Sequence, residues 1–89
     1  MDLHYINRLL KLIHDQPAPF VEYDFLRSEI ANSDHYSLEE GEQLTKYLFL
    51  LEDDNLVELD MTDDRIITHV RLTADGWRRL EKVPQVQTT

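Results

Sequence analysis

The apolar positions of this chain switch between two spacings, and each switch marks an element. Leu3, Ile6, Leu10 and Ile13 recur at intervals of three and four without a breaker, which predicts a helix over 3–15. Pro17-Ala18-Pro19 ends it, because proline lacks an amide donor and forces the residue before it out of the helical region. Phe20-Val21-Glu22 reads as a short extended segment. Asp24 then sits where a helix cap belongs, and Phe25, Leu26 and Ile30 give a short second helix closed by Asn32-Ser33-Asp34. A third helix opens on Ser37 with Glu40 three residues on, the spacing at which each side chain satisfies an otherwise unpaired amide. Its core stripe is Leu44, Tyr47, Leu48 and Leu51. Asn55 is placed for the left-handed residue that stops a helix, with Leu56 folding back onto the last turn.

After Asn55 the period becomes two. Val57, Leu59 and Met61 alternate with Glu58 and Asp60, while Ile66, Thr68, Val70 and Leu72 alternate with Ile67, His69 and Arg71, predicting two strands joined by a turn at Thr62-Asp63-Asp64. A closing helix starts near Thr73, packs Trp77 and Leu80, and stops before Pro84. The expected organisation is one domain over 1–83 with a frayed tail over 84–89.

Two stretches carry a resemblance. Tyr47-Leu48-Phe49-Leu50-Leu51-Glu52-Asp53-Asp54-Asn55-Leu56-Val57 resembles the passage from recognition helix into wing in winged helix-turn-helix proteins. Arg71-Leu72-Thr73-Ala74-Asp75-Gly76-Trp77-Arg78-Arg79-Leu80-Glu81 resembles the R-L-T-x-x-G-x-x-x-L exit from the wing in MarR-like and PadR-like regulators. The whole pattern is also similar to short winged-helix proteins of bacteria and their phages. The resemblance implies an α+β, mainly helical winged helix: three helices, a two-stranded wing hairpin and a C-terminal helix. It places the recognition helix over 37–54 and the wing tip over Thr62 to Arg65, and it specifies no function.

Charge bears on the partner. The chain of 89 residues carries 18 acidic and 9 basic residues, a net charge of −9. The third helix holds Glu39, Glu40, Glu42, Glu52, Asp53 and Asp54 against Lys46 alone, whereas the last part of the chain is basic through Arg65, Arg71, Arg78, Arg79 and Lys82. At a hundred degrees per residue from Leu44, the side of the third helix away from the core holds Glu39, Glu42, Lys46 and Phe49. A major-groove reader presents Arg, Lys, Asn or Gln there, and two aspartates at the wing tip have the wrong sign for DNA. The leading expectation is therefore an interaction module that docks on another protein, with a basic partner or imitation of nucleic-acid charge as sub-cases. The alternative is a DNA-binding regulator of the MarR-like kind using Lys46, Arg65, Arg71, Arg78 and Arg79, since only the contacting surface of an acidic regulator must be positive.

Further expectations concern the surfaces. Tyr5, Leu9 and Leu12 form a second apolar row on the first helix; either it is a homodimer interface, or the last helix covers it through Trp77 and Leu80. Phe49 is either an exposed anchor ringed by charge or a boundary residue under the hairpin or the Phe20 segment. The histidines at 4, 14, 35 and 69 lack metal-site spacing, Gly41 and Gly76 are isolated, cysteine is absent, and Ser28, Ser33 and Ser37 sit in cap or turn contexts. No metal, cofactor or catalytic role is expected. With no apolar run long enough for a membrane span and no secretion-signal pattern at the start, the expected location is the cytoplasm.

Overall fold

The amides of the first helical turn have no partner within the helix, and Asp2 supplies one: its carboxylate accepts from the backbone of His4 (3.0 Å) and Tyr5 (3.2 Å). The helix it starts, α1 (Leu3–His14), ends one residue earlier than its apolar period suggests, with Asp15 as the cap ahead of Pro17. The computed structural model describes residues 2–31 and 38–82. Over these, α1 is followed by β1 (Val21–Glu22), α2 (Tyr23–Ala31), α3 (Leu38–Asp53), β2 (Val57–Met61), β3 (Ile67–Leu72) and α4 (Ala74–Lys82). The chain is thus α+β, with four helices and a three-stranded antiparallel sheet in the order β1-β3-β2. The helix stop at Asn32–Asp34, the Ser37 half of the capping box and the tail 84–89 lie outside the described residues.

Asp24 is not a cap: α2 begins at Tyr23, which places Asp24 in its first turn, where a negative charge still favours the positive end of the helix dipole. The hairpin is not two-stranded on its own either, because Val21 and Glu22 pair with Val70 and His69 and make the short extended segment a third strand.

The register of β3 departs from simple alternation. Leu59 faces Val70 and Asp60 faces His69, but Met61 faces Ile67, so β3 carries one extra residue, Thr68. Its hydroxyl donates to the Asp60 carbonyl (3.0 Å) at that irregularity. An inserted residue exchanges the two faces of the strand beyond it. Ile67 therefore enters the core with Val70 and Leu72, while Ile66, expected inside, is 61% exposed. At the hairpin end, Arg65 N–H donates to the Thr62 carbonyl and Thr62 N–H to the Ile66 carbonyl, each at 2.9 Å. That pattern requires a left-handed residue, and Arg65 supplies it at φ 63°.

The core lies where α1, α2 and α3 meet the sheet. Leu9 and Leu10 from α1, Leu26 from α2, Leu44, Leu48 and Leu51 from α3, and Val57 and Val70 from the strands are its most deeply buried side chains. At roughly 2 kcal/mol per buried aliphatic side chain, this set dominates the favourable side of folding.

The end of α3 is locked to the start of α4. Asn55 takes the left-handed conformation (φ 62°), its N–H bonds the Glu52 carbonyl, and the Leu56 N–H reaches back to the Leu51 carbonyl, each at 2.9 Å. Thr73, the cap of α4, donates its hydroxyl to the Asn55 carbonyl (2.6 Å) and its N–H to the Leu56 carbonyl (3.1 Å), and its hydroxyl accepts from the Gly76 N–H (3.0 Å). Asn55 donates in turn to Asp75 (2.9 Å). Gly76 is required by this packing: a Cβ there would stand 2.2 Å from the Leu56 carbonyl oxygen and 2.7 Å from Leu72 Cδ1. Gly76→Ala is expected to destabilise the fold by about 2 kcal/mol through overpacking against backbone, measured as a lower urea midpoint in equilibrium unfolding; an unchanged midpoint would mean that α4 does not seat on this turn.

Candidate interaction surfaces

One side of α3 is pinned and the other is open. On the pinned side, Tyr23 O–H lies 3.2 Å from the Gly41 carbonyl and 2.9 Å from Thr45 Oγ1, and the Arg27 guanidinium lies over Gly41. Tyr47 is held from α1: its hydroxyl accepts from Asp2 N–H (3.0 Å), and its ring meets that of Tyr5 with centroids 4.6 Å apart. Arg8 of α1 also donates to the Glu29 carbonyl near the end of α2 (3.2 Å). The helices are thus tied by a tyrosine-centred cluster that no spacing in the sequence reveals, because its members lie in three separate elements. Burial, with Tyr23 and Tyr47 adding to it, pushes the Tyr5 hydroxyl up to about 12.

On the open side, Glu39, Glu42, Gln43 and Lys46 are exposed, and Tyr47 and Leu50 are half-buried; together they line a groove of about 590 Å³. Asp53 and Asp54 extend the exposed carboxylates past the end of the helix. Glu39 in the first turn is favoured by the helix dipole. Glu52, Asp53 and Asp54 stand at the opposite end, where negative charge is unfavourable and no basic residue in the last turn offsets it. Glu52 accepts from Leu59 N–H (3.4 Å), but helix stability does not account for Asp53 and Asp54.

The expected protein contacts divide. Glu39 and Glu42 are on the surface as expected. Phe49 is half-buried and packs against the core, so it is a boundary residue rather than an exposed anchor. The apolar row of α1 is also corrected: Leu9 is 0% exposed within the single chain, and Tyr5 and Leu12 are half-buried against the core, so Leu9 offers nothing to a second copy. Trp77 does not provide the cover expected of it, because it is 49% exposed; its ring stands edge-on to His14 with centroids 4.2 Å apart, and Leu80 alone of the pair packs on the core.

The candidate DNA contacts do not act as one cationic set. Arg71 is paired with Glu58, and Arg78 with Asp75 at 2.6 Å. Arg79 is half-buried in α4, Lys46 stands on α3 among Glu39 and Glu42, and Arg65 is exposed at the hairpin tip beside exposed Asp63 and Asp64. His14 pairs with Asp15 at 3.1 Å, and His69 lies 3.9 Å from Asp60. Among the described residues, no three His, Asp or Glu side chains gather closely enough to hold a metal ion, and no helix is long and apolar enough to cross a membrane. No protein-family model, curated protein or solved structure matches the chain.

Two outcomes follow from these placements. Leu9→Glu is expected to unfold the protein, read as loss of the cooperative thermal transition, because it buries an unpaired carboxylate in the core; a folded variant that only changes oligomeric state by light scattering would restore the interface reading of α1. The second concerns alkaline pH. Tyr5 has its folded-state value raised above the free value of about 10, so its neutral form stabilises the fold in full below pH ~10, and this contribution is lost as pH rises through about 12. Urea unfolding between pH 9 and pH 12, on the order of the window set by those values, should show a shallower alkaline loss for Tyr5→Phe than for wild type; parallel curves would contradict the burial of that hydroxyl.

Proposed function

We propose that the protein is a small acidic winged-helix interaction module, a regulatory or accessory factor that works by binding another protein through the open side of α3. The winged-helix reading is supported by three helices, a hairpin and a closing helix in the order that the two sequence motifs imply, with α3 in the recognition position and Thr62–Arg65 as the wing tip. The observation that carries the functional reading is the charge on that position. Glu39 and Glu42 are exposed beside Lys46, Asp53 and Asp54 follow, and Asp63 and Asp64 stand at the wing tip. A polyanion approaching there meets like charge at each end of its footprint, within a field set by a net charge of −9. Pairing of Arg71 with Glu58 and of Arg78 with Asp75 removes two of the cations that would otherwise offset it. A basic protein, including one that itself binds nucleic acid, meets the opposite sign. The protein acts inside the cytoplasm in this reading, and it performs no catalysis and carries no cofactor.

The test is duplex binding by fluorescence anisotropy at low salt, about 50 mM. Wild type is expected to bind more weakly than Kd ~10⁻⁴ M, below the usual non-specific range, while Glu39→Lys with Glu42→Lys gains affinity. Wild-type binding that falls steeply with salt and is abolished by Arg65→Ala with Lys46→Glu would replace this reading with that of a DNA-binding regulator of the MarR-like kind.

A further inference from the structure

The six side chains of the α3 groove fall into two rows. Glu39, Gln43 and Tyr47 follow one another at intervals of four, and so do Glu42, Lys46 and Leu50. Such rows are the ridges of a helix surface, and the trough between two adjacent ridges is the shape into which a ridge of a second helix packs. Elsewhere on α3, Leu44, Leu48 and Leu51 are in the core, and Tyr23 bonds Thr45 while Arg27 lies over Gly41, so the second hollow on the helix, between α2 and α3, is already walled by α2. The open trough is graded along its length. Glu39 and Glu42 stand at the N-terminal end, and Tyr47 and Leu50 at the C-terminal end, about 12 Å away at 1.5 Å per residue. Tyr47 is fixed in advance by Asp2 and Tyr5, so the apolar end does not have to be ordered when something binds.

We infer that this groove receives a basic amphipathic helix of a partner protein, seating an apolar side chain on Tyr47 and Leu50 and placing Arg or Lys two turns away against Glu39 and Glu42. This rests on the reading of α3 as a protein-docking face and adds the occupant. Charge complementarity selects it. Among the described residues Glu39 and Glu42 enter no ion pair, so that end calls for basic residues, and the apolar end excludes a ligand that is charged throughout. A second copy of the chain is the weaker occupant, since two bodies of net charge −9 repel.

The probe is a synthetic helical peptide of Leu, Ala, Lys and Arg with its leucines on one face. It is compared with a scrambled peptide of the same composition and charge that has no apolar face, each titrated into the full chain labelled with nitrogen-15. The expected result is amide shifts centred on Glu39, Glu42, Gln43, Lys46, Tyr47 and Leu50, with affinity at least about tenfold higher for the amphipathic peptide and about tenfold lower for Glu39→Gln with Glu42→Gln, a change that leaves the helix intact. Equal binding of the two peptides at those residues overturns the helix as occupant while leaving the acidic docking face in place. Shifts confined to the Trp77–His14 side overturn the groove. Concentration-dependent self-association without peptide, lost in the Gln variant, assigns the groove to a second copy instead. Displacement of the peptide by duplex DNA at those same amides overturns both this inference and the reading beneath it.

Discussion

The turn at Asn55–Leu56 fixes the arrangement of everything after the third helix. The left-handed Asn55 ends α3 and aims the chain into β2, and the carbonyls of Asn55 and Leu56 then receive the hydroxyl and amide of Thr73 after the chain has run out along β2 and back along β3. One short segment thereby closes a helix, starts a strand and anchors the cap of another helix. Gly76 permits the approach, since any side chain would meet the Leu56 carbonyl. These bonds are short in reach but span eighteen positions in sequence, so they order the hairpin as a unit with α3 rather than as an independent ribbon, which alone would be marginal in water.

Holding α3 in this way decides which of its sides meets solvent. Leucines at 44, 48 and 51 face inward, the tyrosine cluster grips one flank, and Glu39, Glu42, Gln43 and Lys46 are left outside. The carboxylates at the C-terminal end of α3 oppose the helix dipole at a cost of a few tenths to 1 kcal/mol each. A helix serving only the core has no use for that arrangement. In the proposed function that arrangement serves a surface that attracts cations and repels phosphate, and the ion pairs at Arg71 and Arg78 take two cations out of the opposing set.

The sequence discloses those features whose causes are local. The stop at Asn55, the Thr73 start of α4 and the leucines of the α3 core stripe follow from contacts within a few residues and are where their pattern puts them, whereas Tyr47 of that stripe is half-buried and lines the open groove. Features set by distant partners were not legible. The extra residue at Thr68 exchanges Ile66 for Ile67 in the core, and only the pairing with β2 determines that. Leu9 looked surplus to one core face because the periodicity of α1 does not reveal how much of that helix the other elements enclose. Trp77 misled for the opposite reason: its size predicts burial, yet it lies on the outer side of α4 against His14. For the candidate surface, the acidic residues of α3 could be placed on its outer side by angle alone, whereas the groove between their rows and the pinning of Tyr47 by Asp2 required the assembled helices.

The proposed docking face requires the outward side of α3 to be electronegative in solution, and near-surface potential measured by NMR tests this most directly. Cationic and anionic nitroxide co-solutes of equal size are added in turn, and the relaxation each causes is read at the amides of residues 39–54. A field of the proposed sign makes the cationic probe the stronger relaxer along that stretch, with the contrast fading in high salt as screening sets in. A stronger effect from the anionic probe there, or no difference between the two at low salt, would contradict it.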